Sequence, residues 1–326
     1  MRVFMENNNS GVWNFEKKVI DIIHALRNNK EVIIDLNTEG PCCEDIGIFD
    51  ILDYICEKNL FSKNSIVIET CNMLEKHDHY NIKKIYDLID LNEIKKLNIQ
   101  NNIKNFDSKK FKVFGNFVGR ASWVRLWVSS LLWKTHNNNL IKTFHWNNIS
   151  DFHLTHIDLD NMIRFGASLD EIKIAIDFLS NAPYELDQVN KFPILSDNYS
   201  NIIEWYKYFF VDVVCETYFS GNTFFPTEKT WRSIATKTPF IIHGPVDFLR
   251  NLRKLGFKTF DRWWSEEYDD YGHEERIEKI LELSDEIAKY STDELYAMYE
   301  DMSEVLEHNC RVFNELSEDD FQRVFK

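Results

Sequence analysis

Phe209-Phe-Val-Asp-Val-Val-Cys215, then Glu216 and a loop holding Gly221 and Pro226, then Thr227-Glu-Lys-Thr-Trp-Arg-Ser-Ile-Ala235, then Pro239-Phe-Ile-Ile242: this stretch decides the fold. The first segment is a short apolar run interrupted by one Asp and ended by polar and turn residues, which reads as a buried strand. Thr227 stands where a helix N-cap belongs, with Glu228 in the first turn, so a helix is expected through about residue 236. The run 239–242 is then the next buried strand. Strand, helix and strand in succession make a crossover unit whose two strands pair in parallel. In parallel sheets with helical crossovers, ligands bind beyond the carboxyl ends of the strands. Glu216 and the loop after it are therefore expected at a ligand edge.

Working outward, the same alternation fills the chain. Strands are expected at 31–36 and 65–70, with helices at 15–26, 48–60 and 82–97. The Asn-rich stretch 98–105 suits an interdomain hinge. Beyond it come a strand at 111–114, a loop at 115–119, a helix at 122–134 and a strand at 143–146. Ser168-Leu-Asp-Glu171 is a capping box opening a helix to residue 179, and Ser291-Thr-Asp-Glu294 is a second between the last two helices. From His273 onward the pattern is helical. The expected fold class is α/β with mostly parallel sheets, in two domains at 1–105 and 106–290 followed by acidic helices at 291–326.

Composition narrows the function classes. The 326 residues are 44% hydrophobic and 14% aromatic with only 10 Gly and 6 Pro, which excludes disordered and collagen-like chains. No apolar run approaches the roughly 20 residues that span a bilayer. The N-terminus shows no signal-peptide pattern, so a cytoplasmic location is expected, the host cytoplasm for a viral product. Six scattered cysteines with no C-x-x-C pair argue against a zinc ribbon or a disulfide scaffold. The net charge of −15 is concentrated in 261–326, which carries 21 acidic and 7 basic residues. A generic nucleic-acid binder would carry the opposite excess. The remainder is nearly neutral and leaves room for a local phosphate pocket.

Within the opening stretch, the start of the 227–236 helix together with Lys229 forms a natural phosphate site, since N–H groups and a cation converge there. Glu228 can accept hydrogen bonds from ribose hydroxyls. A capped helix with an acidic first turn and a solvated lysine has the same local sequence.

The stretch resembles the donor-binding signature of the alpha-1,3-fucosyltransferase family, roughly C-F-E-N, a loop, Y-V-T-E-K, an apolar helix and I-P-I-Y-W-G-S-P. Here it reads Cys215-Glu216, the loop, Thr227-Glu228-Lys229 and Thr238-Pro-Phe-Ile-Ile-His-Gly-Pro245. Thr217 stands for the family's Asn, Phe225-Pro226 for Tyr-Val, and His243 for Trp. Phe117-Val-Gly-Arg-Ala-Ser-Trp-Val-Arg125, 257–261 and 293–299 are similar to further family segments, so that the likeness covers about 111–300.

The resemblance implies a GT-B fold: two Rossmann-like domains facing a cleft, with the nucleotide-sugar on the C-terminal one. It implies that Arg125 and Lys229 grip the pyrophosphate, Glu228 the ribose and Glu216 the sugar side, with Thr227, Arg120 and Asn222 completing the donor set. The co-substrate it implies is GDP-fucose, with no metal or other cofactor. Inversion at the sugar carbon needs a base for the acceptor hydroxyl. Glu39, beside Gly40-Pro41 at the end of the first strand, is the candidate, ahead of Glu69 and Asp78.

The expected activity is thus metal-independent transfer of a sugar from a nucleotide-sugar to a glycan or glycoprotein acceptor. Two rivals stand beside it. One is a virus- or phage-type transferase acting on modified DNA bases, which the compact Asn- and Ile-rich chain would suit. The other is a non-catalytic GT-B-like shell whose acidic helices bind a partner. His77-Asp-His79 as metal ligands and Asp158-Leu-Asp160 as a D-x-D metal motif are weaker signals. Trp123, Trp127, Leu131 and Leu132 have core spacing, whereas of the pair Trp263-Trp264 one can face a ligand.

Overall fold

The structure, a computed structural model, describes residues 1–5, 7–8, 12–13, 18–36, 40–86, 89–97, 99, 104–119, 121–144, 159–186 and 199–326. The chain folds into two compact units that do not follow chain order. One comprises Met1–Leu88, Ser220–Phe225 and Ser317–Lys326; the other comprises Ile89–Phe219 and Pro226–Leu316.

The first unit is built on a parallel sheet of β1 (Arg2–Phe4), β4 (Val32–Leu36), β5 (Ile66–Thr70) and β6 (Asn81–Lys84), in that order. A separate antiparallel pair, β2 (Asn7–Asn8) and β3 (Val12–Trp13), lies between β1 and β4 in sequence. Val3, Ile34 and Ile68 share a core with Ile22 and Leu26 of α1 (Val19–Arg27) and Leu52 and Ile55 of α2 (Ile48–Asn59). Side chains alternate along a strand, so the neighbouring residues Arg2, Asp35 and Glu69 point to the opposite face. There Arg2 Nη1 lies 2.5 Å from both Asp35 Oδ2 and Glu69 Oε2, and Lys83 Nζ lies 2.8 Å from Glu69 Oε1.

This ladder explains one correction to the sequence reading. Residues 82–97 are not one helix: 81–84 form the edge strand β6, paired with β5 from Val67↔Asn81 to Thr70↔Lys84, and α3 spans Ile89–Lys96. The short polar run at 81–84 carries no apolar periodicity to mark it, and its register is fixed by β5. The C-terminal helix α12 (Glu318–Val324) also joins this unit, stacking Phe321 on Tyr86 at a centroid distance of 3.8 Å.

The second unit holds another parallel sheet, ordered β10 (Phe240–His243), β9 (Phe209–Cys215), β7 (Lys112–Val118) and β8 (Leu140–Phe144). The expected loop at 115–119 is mostly strand. A side chain at Gly115 would collide with the Phe209 ring, its Cβ falling 2.6 Å from that ring, so the glycine permits close strand packing rather than a turn. Asn116 is held in the ladder, its Nδ2 donating to Val213 O at 2.7 Å and its Oδ1 accepting from Ser129 Oγ at 2.6 Å.

Among the described residues the unit also holds α3 and helices α4 (Trp123–His136), α5 (Leu169–Ser180), α6 (Tyr199–Trp205), α7 (Glu228–Ala235), α8 (Phe248–Lys254), α9 (His273–Ile287), α10 (Thr292–Asp301) and α11 (Ser303–Glu315). Both expected capping boxes form, at Ser168/Glu171 and Ser291/Glu294. Helix α7 packs on β9 and β10, and α9 on β10 and α4. Most of the Asn-rich stretch at 98–105 lies outside the described residues. Lys104 within it is buried, donating from Nζ to Tyr206 O at 2.7 Å, Phe209 O at 2.6 Å and Thr238 Oγ1 at 2.8 Å.

The chain thus has an α/β architecture with two parallel sheets. Among the described residues, no helix is long and apolar enough to cross a membrane.

Candidate functional site

In the second unit the chain runs from β7 to β8 on one side and returns past β7 to β9 and β10 on the other. The strand order therefore reverses between β7 and β9. Crossovers depart in opposite directions at such a point and leave a crevice at the carboxyl edge. The segments that leave this edge carry Arg125 in the first turn of α4, Glu216 and Thr217 just past β9, and Lys229 in the first turn of α7.

Glu216 organises the edge. Its N–H donates to His243 O at 2.9 Å, continuing the β9–β10 ladder. Its buried carboxylate accepts from Thr227 N at 3.1 Å, Thr227 Oγ1 at 2.5 Å, Thr230 Oγ1 at 2.6 Å and Thr217 N at 3.3 Å. The anion at the start of α7 is thus the protein's own carboxylate. This corrects two details of the sequence reading. Thr227 occupies the N-cap position but makes no side-chain cap bond, its hydroxyl being donated to Glu216 instead. The backbone N–H at Thr227 is likewise taken by Glu216.

Two cations from different helices meet at one hydroxyl. Arg125 Nη2 and Lys229 Nζ each lie 3.4 Å from Thr217 Oγ1. Lys229 Nζ also donates to Thr227 Oγ1 at 3.0 Å and pairs with Glu228 Oε1 at 3.0 Å. Burial alone would raise the Glu228 carboxyl, but the charges of Lys229, Arg232 and Arg125 outweigh it and bring it down to about 2. Burial pushes the Cys215 thiol up to about 12 while Arg125 and Lys229 pull the other way, so this cysteine is not a thiolate at neutral pH. The edge therefore gathers three cations, one partly exposed carboxylate and one internally bonded carboxylate, an excess of one positive charge.

The segments that carry Arg125 and Thr217 also carry an aromatic cluster. Trp123 stacks on Phe165 at 4.6 Å and meets Phe219 and His273 edge-on at 5.0 and 5.2 Å. His273 Nδ1 lies 3.1 Å from His243 Nε2, both rings buried. Trp127, Leu131 and Leu132 are buried as expected, whereas Trp123 is half-buried. Of the pair at 263–264, Trp264 is buried against Phe260, and Trp263 donates Nε1 to Asp301 at 2.7 Å.

Of the expected donor residues, Arg125, Glu216, Thr227, Glu228 and Lys229 come together here. Asn222 belongs with the first unit, its carbonyl accepting from Asn72 Nδ2 at 2.9 Å. Arg120 and the expected base Glu39 lie outside the described residues, as does Asp158 of the D-x-D pattern. Glu69 is engaged by Arg2 and Lys83, and Asp78 is exposed. The His77 ring packs on Phe49 at 4.2 Å, and no cluster able to hold a metal ion exists among the described residues.

The sequence reading passed over Thr217 and Arg232. Thr217 registers in the sequence only as a departure from the family's Asn, yet it is the hydroxyl the two cations share. Compared with known proteins, the chain matches no family model and no curated protein.

Proposed function

We propose that the chain is a glycosyltransferase of GT-B type. It takes a nucleotide-sugar at the second unit's switch point and passes the sugar to a hydroxyl of a glycan acceptor. The observation that carries this reading is the convergence of Arg125 and Lys229 on Thr217 at the carboxyl edge between β7 and β9. Negative charge builds on a diphosphate as it leaves, and preplaced cations stabilise that charge more than the ground state. Arg125 supplies a planar fork of donors and Lys229 a point charge, a pair suited to two adjacent phosphates. In this role no metal is needed to neutralise the leaving group. GDP-fucose is the co-substrate suggested by the resemblance of 215–245 to the alpha-1,3-fucosyltransferases. Deprotonation of the acceptor is left to a carboxylate, with Glu39 the candidate.

A second reading is a non-catalytic binding shell. It is favoured by the Glu228 carboxylate sitting on Lys229, which satisfies that cation without a ligand.

Calorimetric titration of GDP, UDP, CDP and ADP without metal, against the wild type and Lys229→Ala, separates the two. Binding of one nucleotide that is lost in the variant supports the transferase and names its base; GDP would favour fucose or mannose. Absence of binding for all four sinks the donor site and leaves the shell.

A further inference from the structure

At the far end of α7 from Lys229 is a second recess, of about 290 Å3, where α3, α7 and α11 meet. Its apolar lining includes Ile94, Ala235 and Phe313, and its cations are Lys95, Lys237 and Arg311, against the single carboxylate of Glu307. Lys95 Nζ donates to Leu316 O at 2.7 Å and lies 5.7 Å over the Phe313 ring, so its charge is fixed above the apolar floor. Lys237 pairs with Glu307 at 2.6 Å. Arg311 is exposed and makes no ion pair among the described residues. Three cations against one acid stand out in a chain whose net charge is −15.

We propose that this recess binds a small amphipathic anion, an apolar stem of up to about a dozen heavy atoms ending in a single carboxylate or phosphate. The stem lies over Ile99 and Cys310, the half-exposed apolar members of the lining, and the head is held by Arg311 and Lys237. Helices α3, α7 and α11 all bring their last turns to the recess, and their carboxyl termini, at roughly half a negative charge each, set about one and a half negative charges against an anion. The excess of two positive charges in the lining exceeds these. The volume sits at the small end of ligand sites, which excludes a whole nucleotide-sugar.

The recess carries its own reporter. Cys310 lines it and is the one cysteine of six that is not buried. A bound stem should shield its thiol.

The test is calorimetric titration of octanoate into the full chain, with the rate of Cys310 modification by a disulfide reagent followed in parallel. Octanol supplies the stem without the charge, and sulfate the charge without the stem. The expected result is saturable octanoate binding that slows Cys310 modification at least fivefold, weakened about fivefold by Arg311→Glu and further by adding Lys237→Glu. Cys310→Ser should keep the binding and lose the thiol signal. The proposal is overturned by any of three results: no octanoate binding, binding that survives the double charge reversal, or equal protection of Cys310 by octanol or sulfate. None of these readouts involves Lys229 or a nucleotide, so the result is independent of the transferase reading.

Discussion

Two buried carboxylates, one in each unit, are satisfied by opposite means. Glu69 in β5 is neutralised by full charges, with Arg2 and Lys83 bonded to it directly. Glu216, just past β9, is held by two threonine hydroxyls and two backbone N–H groups. The first arrangement closes on itself: the cations beside Glu69 are already committed to it, with Arg2 shared with Asp35. The second leaves Arg125 and Lys229 facing a hydroxyl and a partly exposed carboxylate, which a more highly charged anion can displace. At Glu216 the neutral donors leave the neighbouring cations to Thr217 and Glu228, whereas at Glu69 the cations are taken up by the ladder itself.

The sharpest way to break this contrast is Glu216→Ala. It strands the Thr227 N–H and the hydroxyls of Thr227 and Thr230 in a buried setting, each costing about 1–3 kcal/mol unless water enters. The expected loss of stability is about 3 kcal/mol or more by urea denaturation, with nucleotide binding abolished because the start of α7 loses its anchor. A loss below about 1 kcal/mol would mean that Glu216 does not organise the edge. In the other unit, Arg2→Met removes a cation that is 38% exposed from two buried carboxylates. Solvent screens part of that pairing, so a loss of stability smaller than that of Glu216→Ala is expected, with no change in nucleotide affinity. A loss of nucleotide binding in this variant would show that the ladder is not merely structural.

A smaller effect belongs to Thr217→Val, which keeps shape and removes the shared hydroxyl. Stability should change by less than about 1 kcal/mol. Nucleoside diphosphate affinity should fall about fivefold, since both cations lose the group that fixes their spacing. Unchanged affinity would show that the cations are positioned by their helices alone.

The same contrast explains what could be read in the sequence. The strand at 209–215, the helix after Thr227 and the two boxed caps follow local rules, and the structure reproduces them. The edge strand at 81–84 and the full length of β7 do not. One is defined by pairing with β5, the other by the approach of Phe209 to Gly115, and both depend on neighbours far away in sequence. The site follows the same division. Thr227-Glu-Lys229 is a contiguous signal, whereas Arg125 reaches Thr217 across 92 positions of chain. Hydrogen-bond direction was not legible at all. A threonine before a helix reads as a cap, and only the placement of Glu216 reverses its role.

The smallest effect at neutral pH lies in the acid limb of stability, and it separates two groups on the same edge. Burial holds the His273 imidazole at about 4, assisted by the charge of Arg276; burial also holds His243 well below its usual range. The unfolded chain takes up these protons near pH 6.5, so unfolding binds protons below that value and stability falls as pH drops from about 6.5 to 4. Glu228 works in the same sense, over a lower window. Its carboxyl is lowered from 4.5 to about 2, so it contributes stability above 4.5 that is lost as pH falls toward 2. His273→Asn keeps a polar atom near the position of Nδ1 for His243 and should flatten the upper window only. Glu228→Gln should flatten the lower window only. Each change is bounded by one proton, about 1.4 kcal/mol per pH unit, and vanishes by pH 7 for His273. If His273→Asn leaves the slope between pH 6.5 and 4 unaltered, the histidine pair is protonated in the folded chain, and the neutral aromatic cluster around Trp123 is a cationic one.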